Sequence, residues 1–247
     1  LKYSQDAYRT TVYSKDNETD VKVGIAKRHM GVAGRASYNW NYRYFVDFNF
    51  GYNGSENFAD GHRFGFFPAF SVAWNIAEEK IVKKHLKWMN MFKLRYSYGK
   101  VGNDQLGQRF PYLYTLATKH MVKKDGKDVE ETFPGWDWGD YTYGNSYDGL
   151  TYLDLASENV TWEIATKHDA GVDLSLFNDK FTATVDYFHE QRDGIFMARE
   201  FLPSMVGVRS NPKANVGSVR SQGFDGNFAY KQKINKVNLT VRGNFTY

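Results

Sequence analysis

The strictest feature of this sequence is a period of two in side-chain size, which is clearest between residues 64 and 74. The large apolar residues there are Phe64, Phe66, Phe70, Val72 and Trp74, and the residues between them are mostly small. Successive side chains of a β-strand point to opposite faces of its sheet, so this pattern predicts a strand with one ring-rich face. A fifth ring, Phe67, falls on the small-residue face and breaks the pattern.

The same alternation recurs along the chain and predicts eight antiparallel strands. Their predicted ranges are 31–40, 42–52, 62–76, 91–99, 166–177, 181–191, 219–230 and 236–247. Strands of about ten residues are roughly twice as long as strands in soluble proteins. That length is what a tilted strand needs to cross a bilayer.

The two faces of these strands differ in a way that a soluble sandwich does not require. Rings concentrate near the strand ends on one face, as in the interfacial girdles of outer-membrane barrels. The other face carries charges that suit a water-filled lumen, namely Arg43, Asp47, Lys93, Arg95, Asp169 and Asp173. The sequence therefore predicts an all-β fold, an antiparallel transmembrane β-barrel segment.

The connections between the predicted strands alternate in length. A tight turn at 178–180 contrasts with long segments at 53–61, 101–165 and 192–218. Short periplasmic turns and long extracellular loops are typical of bacterial outer-membrane barrels. We also expect a bulge at Pro68, because proline cannot donate to a sheet ladder.

One connection, residues 77–90, lies on the short-turn side but is long enough for a brief helix. It contains a basic run, Lys80, Lys83, Lys84 and Lys87. The run has two interpretations, a turn surrounded by water or a contact with anionic lipid headgroups.

Composition excludes several other functional classes. No apolar run approaches the roughly 18 residues of a membrane helix, and the absence of cysteine excludes thiolate metal sites and disulfides. The net charge of +4 is spread along the chain and indicates no nucleic-acid partner. The six histidines lack the spacing of a metal site. We therefore expect no catalytic residues, cofactor or metal.

The segment 133–152 is the best candidate for ligand binding. Its aromatic side chains include Trp136, Trp138, Tyr141 and Tyr143. Exposed rings of this kind offer flat faces to sugars or to a partner protein. The alternative is that they pack the long loop onto itself.

Four segments carry a family resemblance: FGFFPAFSVAWNIAEE, FKLRYSYGKVGND, NVTWEIATKHDAGVDLSLFNDKFTATVDYF and NVGSVRSQGFDGNFAY. In order and spacing they resemble the barrel of SusC/RagA-type TonB-linked outer membrane proteins of Gram-negative Bacteroidota. The pairs Gly102–Asn103 and Trp162–Glu163 match family motifs. The resemblance implies a plugged barrel of about 22 strands.

By the same resemblance, the whole protein would import glycans or peptides and would not be an enzyme. Its partners would be TonB, a SusD-like surface lipoprotein, the outer-membrane lipid and the oligosaccharide or peptide substrate. Residues 1–30 would form an extracellular loop or partial strand, and residues 31–247 part of the barrel. The chain ends within an alternating run, so we expect it to be a fragment without the plug and the TonB-binding segment.

Two other hypotheses make different structural predictions. A complete eight-stranded barrel, serving as an anchor or adhesin, requires strand 31–40 to pair with strand 236–247. A soluble carbohydrate-binding β protein requires a second sheet that covers the aromatic face.

Overall fold

A computed structural model describes residues 2–6, 26–117, 119–124, 126–133, 135–138, 145–147, 149–199 and 211–247. The strands in chain order are β1 (Lys2–Asp6), β2 (Lys27–Trp40), β3 (Tyr44–Ser55), β4 (Phe64–Asn75), β5 (Met89–Asn103), β6 (Thr115–Ala117), β7 (Lys119–Lys124), β8 (Lys127–Thr132), β9 (Trp136–Trp138), β10 (Asn145–Tyr147), β11 (Thr151–Asp154), β12 (Glu163–Leu176), β13 (Phe181–Ala198), β14 (Lys213–Ile234) and β15 (Val237–Thr246).

Nine of these strands form one antiparallel sheet in the order β1-β2-β3-β4-β5-β12-β13-β14-β15. All eight predicted strands are present, and β1 adds a ninth. The predicted all-β, antiparallel fold is confirmed.

The sheet is open in the part of the chain that the structure describes. β2 pairs with β3 on one side and, over Lys27–Gly31, with β1 on the other, whereas β15 pairs only with β14 among the described residues. The pairing required by a closed eight-stranded barrel is therefore absent, and that hypothesis is wrong for the described residues.

The register collects the large side chains on one side, which we call the aromatic face. It aligns Tyr44 with Trp74, Phe48 with Phe70 and Tyr52 with Phe66 across β3 and β4. The same row continues onto β5, because Phe70 lies opposite Tyr98. These rings stay substantially exposed, and no second sheet covers them in the described residues. The second sheet that the carbohydrate-binding hypothesis requires is therefore absent from the described residues.

Several strands extend beyond their predicted ends. β13 and β14 pair up to Ala198 and Lys213, so their connection is 199–212 and not 192–218. The other long connections are 56–63 and 104–162. In β13 the register shifts between Asp193 and Phe196, which interrupts the size alternation, but backbone pairing continues past that point.

The long connections lie at one end of the sheet, which we call the loop side. The short connections lie at the other end, which we call the turn side. Two of the short ones are turns at 41–43 and 177–180. Residues Ile76–Glu78 form a 3₁₀ turn, and Lys80–His85 form the helix α1. The brief helix predicted within 77–90 is confirmed. None of the helices among the described residues has the length and apolarity to span a membrane.

The bulge predicted at Pro68 is not present. Pro68 lies opposite Phe50 in an unbroken β3–β4 register. β4 begins to pair with β5 only at Ala69. Pro68 thus lies just outside the β4–β5 ladder, where its missing N–H costs no bond to β5.

A small core forms at the loop side. Phe58, Phe67, Val160 and Trp162 are buried together, and the rings of Phe67 and Phe58 each lie 5.2 Å from that of Trp162. The ring that broke the alternation is therefore a core residue. A Cβ at Gly102 would overlap the Phe67 ring, so the glycine leaves the space that this ring fills.

Asp104, directly after β5, joins the long connection to two other strands. Its carboxylate lies 3.1 Å from Lys27 Nζ and 3.4 Å from His29 Nδ1, both on β2. It also accepts a hydrogen bond of 2.6 Å from Ser55 Oγ at the end of β3. Burial raises the pKa of this carboxyl, but the Ser55 bond and the charges of Lys27 and His29 outweigh burial and lower it overall.

We expect the substitution Gly102→Ala to destabilise the full-length barrel by about 1–3 kcal/mol, because overpacking forces Phe67 out of its place. The measurement is the urea midpoint of unfolding in detergent micelles. Gly51→Ala is the matched control, since its new methyl group would meet only the Asn53 side-chain amide, at 3.3 Å. Equal midpoints for the two variants would contradict the packing role of Gly102.

Asp104 should make stability depend on pH. Its pKa is lower in the folded state, so its contribution is present above the unfolded value of about 3.9 and is lost as pH falls through the folded pKa. At pH 7 Asp104→Asn should destabilise the protein by about 1 kcal/mol. The difference from the unsubstituted protein should shrink below about pH 4. Asp128→Asn, at an exposed carboxylate of the same connection, should show no such difference at any pH.

Candidate functional site

The face opposite the rings, which we call the polar face, carries a charged cluster near its middle. Arg95 on β5 lies 3.8 Å from Asp169 and 3.3 Å from Asp173, both on β12. It lies 2.7 Å from Asp186 on β13. One guanidinium thus joins three strands. Since three carboxylates surround a single cation, the cluster has a formal charge of −2.

Gly171 makes this arrangement possible. It lies directly opposite both Arg95 and Asp186 in the register, between β5 and β13. A Cβ at this position would overlap Asp186 Oδ1 and lie 2.8 Å from Arg95 Cζ. The glycine therefore lets the guanidinium cross β12 to reach the third strand.

A second set of ion pairs lies nearer the loop side of the polar face. Arg192 is 3.0 Å from both Glu163 and Glu190, and Lys167 is 3.0 Å from Glu190. These side chains alternate in sign along β12 and β13. Together with the Arg95 cluster they form a charged track from the middle of the sheet toward the long connections.

Sequence reasoning found only part of this track. Arg95, Asp169 and Asp173 were predicted to face a lumen, and the structure brings them together. Asp186 and Arg192 were missed, although Asp186 lies in phase with the alternation of its strand. The missing information was the cross-strand register, which depends on pairing partners far away in sequence.

The chemistry available on the polar face is hydrogen bonding and charge attraction. Among the described residues, no three His, Asp or Glu side chains are placed to hold a metal ion. Two histidines, His168 and His189, lie opposite each other on the aromatic face. His168 Nδ1 is 2.8 Å from the Tyr96 hydroxyl, so this imidazole has a protein partner.

The structure only partly describes the predicted ligand-binding loop. Trp136 and Trp138 lie in β9, where Trp138 is opposite Asn145 and Trp136 is opposite Tyr147 of β10. Tyr141 and Tyr143 lie outside the described residues. The binding role of these four residues stays a prediction.

The motif pairs that carried the family resemblance do meet in the structure. Glu163 is opposite Asn103 in the β5–β12 register. Their neighbours Gly102 and Trp162 both contact Phe67 in the loop-side core.

Comparison with known proteins identifies the family. A family model described as TonB dependent receptor-like, beta-barrel, matches residues 2–247. TonB-dependent receptor P39 of Formosa agariphila is 28% identical over 214 residues, which are 86% of this chain and 18% of the relative. TonB-dependent receptor SusC of Bacteroides thetaiotaomicron is 24% identical over 203 residues, 82% of this chain and 18% of SusC. The chain thus spans about a fifth of the length of these relatives.

Solved structures share the fold. The RagAB peptide importer in its closed-closed state matches with a TM-score of 0.70 and 19% identity, covering 90% of this chain and 22% of that one. The siderophore receptor PirA of Pseudomonas aeruginosa matches with a TM-score of 0.53 and 11% identity, covering 93% and 36%.

These matches indicate what surrounds each of the two faces of the sheet. In an outer-membrane barrel, lipid contacts the apolar side of each strand and the lumen contacts the polar side. The aromatic face is therefore the membrane face, and the charged track lines the lumen. The match over residues 2–247 shows that this chain belongs to the TonB-dependent receptor family and is part of its outer-membrane β-barrel, and SusC and RagAB are among the proteins it resembles.

Proposed function

We propose that the complete protein is an importer that takes up oligosaccharides or peptides through the outer membrane, with energy supplied through TonB. The observation that carries this proposal is the charged track on the lumen face. A row of Arg, Lys, Asp and Glu side chains is costly in a dry core and suits a hydrated passage for polar solutes. The similarity to a peptide importer over 90% of the chain supports the same function.

Transport, and not catalysis, is the role that these residues support. The charges of the track are paired with one another, as Arg192 with Glu163 and Arg95 with Asp186. Paired charges on a rigid sheet offer reversible contacts to a passing solute.

We further propose a SusD-like surface lipoprotein as the partner at the loop side. The connections 56–63, 104–162 and 199–212 all emerge there, and 104–162 is fixed at its base by Asp104 and Trp162. Such a base would support loops that hold substrate between barrel and lipoprotein. Within them, Trp136, Trp138, Tyr141 and Tyr143 are the proposed contacts to substrate or partner.

The experiment that tests this function uses the complete receptor gene in its native host. A deletion strain is grown with defined oligosaccharides or peptides as the only carbon source, and affinity-tagged receptor is purified to identify co-purifying lipoproteins. We expect loss of growth on one class of nutrient and co-purification of one lipoprotein. Normal growth on every oligosaccharide and peptide, with no lipoprotein partner, would contradict the proposal.

Replacing the four loop aromatics with alanine should weaken substrate binding by about tenfold or more, because each stacked ring contributes on the order of 1 kcal/mol. Isothermal titration with the purified complex measures the affinity. Tyr114 and Tyr152 provide the matched control, since their rings pack on each other at 5.4 Å within the same connection. A double alanine variant of that pair should keep the affinity, and an equal loss in both variants would contradict a specific role.

Arg95→Gln should change charge selectivity. The formal charge of the cluster falls from −2 to −3, so uptake of an acidic substrate should slow by about two- to tenfold, whereas a neutral substrate should be little affected. Initial uptake rates of a matched pair of labelled substrates measure this effect. Arg35→Gln, at an exposed Arg35–Asp47 pair of the same face, is the control. A slowdown that is equal for both substrates would indicate a folding defect instead.

A further inference from the structure

The connection between β4 and β5 carries an unusual combination of exposed cations and exposed apolar side chains. We define the basic turn as residues 79–88, which contain α1. We propose that the basic turn binds the anionic phospholipid headgroups of the membrane leaflet on the turn side. In outer-membrane barrels the short-turn end faces the periplasm, so this is the periplasmic leaflet.

The basic turn starts at the membrane face and not beneath the lumen. Glu79 Oε1 accepts hydrogen bonds of 2.7 Å from the Tyr44 hydroxyl and 3.2 Å from Trp74 Nε1. Tyr44 and Trp74 are opposite each other on the aromatic face. Glu79 is also the residue that precedes α1. The helix therefore leaves the barrel at its lipid-facing rim, where the aromatic girdle meets the headgroups.

The two bonds also fix the charge of Glu79. The Tyr44 bond, followed by the Trp74 bond, lowers the pKa of this carboxyl. Glu79 consequently stays ionised, and its Oε1 is hydrogen-bonded by both ring partners. Its other oxygen is 3.9 Å from Arg43.

Apolar side chains of the basic turn project away from the protein. The side chain of Ile81 is 76% exposed, an unfavourable environment for a large aliphatic group in water. Trp88 is 43% exposed and stacks on Phe177, which is 53% exposed, at 5.4 Å. Phe177 also donates its backbone N–H to the Trp88 carbonyl at 2.7 Å. Tryptophan next to an apolar band is typical of the membrane interface.

Three of the four lysines of the basic turn have no carboxylate partner among the described residues. Lys83 bonds to Glu78 at 2.7 Å. Lys80, Lys84 and Lys87 make no ion pair among the described residues. Lysine side chains near a membrane surface attract anionic lipid, and their aliphatic stems extend along apolar groups while the ammonium stays in water.

The helix geometry combines both features on one side. Ile81, Lys84 and His85 are three and four residues apart and so share a face of α1, while Lys83 points away from it. An interfacial helix buries its apolar side chain at the acyl boundary and places its cations among the headgroups. A soluble acidic partner would match the lysines but would leave no reason for the exposed Ile81 and Trp88.

The test uses the full-length receptor in nanodiscs, with a fluorophore on a single introduced cysteine at Ile81→Cys or Lys83→Cys. The nanodiscs contain brominated phosphatidylcholine, with or without phosphatidylglycerol, and quenching by the bromolipid is compared with quenching by iodide in the water. At position 81 we expect bromolipid quenching about twofold stronger than at position 83, with a further increase when phosphatidylglycerol is present.

Lys80, Lys84 and Lys87 are then replaced with glutamine together. The increase caused by phosphatidylglycerol should disappear in this variant. The control replaces Lys119, Lys123 and Lys127, three exposed lysines of the loop-side connection, and should leave the increase intact. Strong iodide quenching at position 81, with no bromolipid effect in either membrane, would overturn the proposal, because the basic turn would then lie in water. An increase that survives loss of the three lysines would overturn the headgroup contact as well.

Discussion

The structure depends on a constraint that the bilayer imposes on the backbone. Hydrocarbon offers no water to an unpaired N–H or C=O, so each strand that crosses it must pair with a neighbour along its length. The ladders that join neighbouring strands of the sheet, from β2 through to β15, meet this demand over most of their residues. Once pairing is fixed, the pleat decides which side chains contact lipid and which line the lumen. The aromatic face and the charged track are two consequences of the same register.

The lumen face is not uniformly polar, and its exceptions have a structural reason. Phe67 lies on that face but at the loop side, where it packs on Trp162 and fills the space left by Gly102. Gly171 similarly leaves space, but for the guanidinium of Arg95. In both places a glycine on one strand accommodates a large side chain from another. Substituting either glycine would disturb contacts that lie far from it in sequence.

The sequence was sufficient for the strands, because lipid on one side and water on the other impose a strong period of two on residues such as Phe64, Phe66 and Phe70. It was also sufficient to predict the helix within 77–90 and the position of Arg95 and Asp173 on the polar face. It was insufficient where register shifts between Asp193 and Phe196 interrupt the alternation, so β13 and β14 extend further than predicted. It could not place Asp186 beside Arg95, because that contact depends on the register of β12. The prediction of a bulge at Pro68 was wrong, because the residue at which β4 begins to pair with β5 cannot be inferred from the sequence of β4 alone.

Asp104 gives the loop-side rim a mechanical property that no ion pair of the described residues gives the turn side. The carboxylate follows β5, yet it contacts Lys27 and His29 on β2, and β3 and β4 lie between those strands. An ion pair that spans four neighbouring strands acts as a tie across the rim, and it resists widening in a way that pairwise ladder bonds do not. A force on the long connections would be spread over β2 to β5, and not over one ladder. The tie therefore sets the separation of β2 from β5 at the base of the long connections.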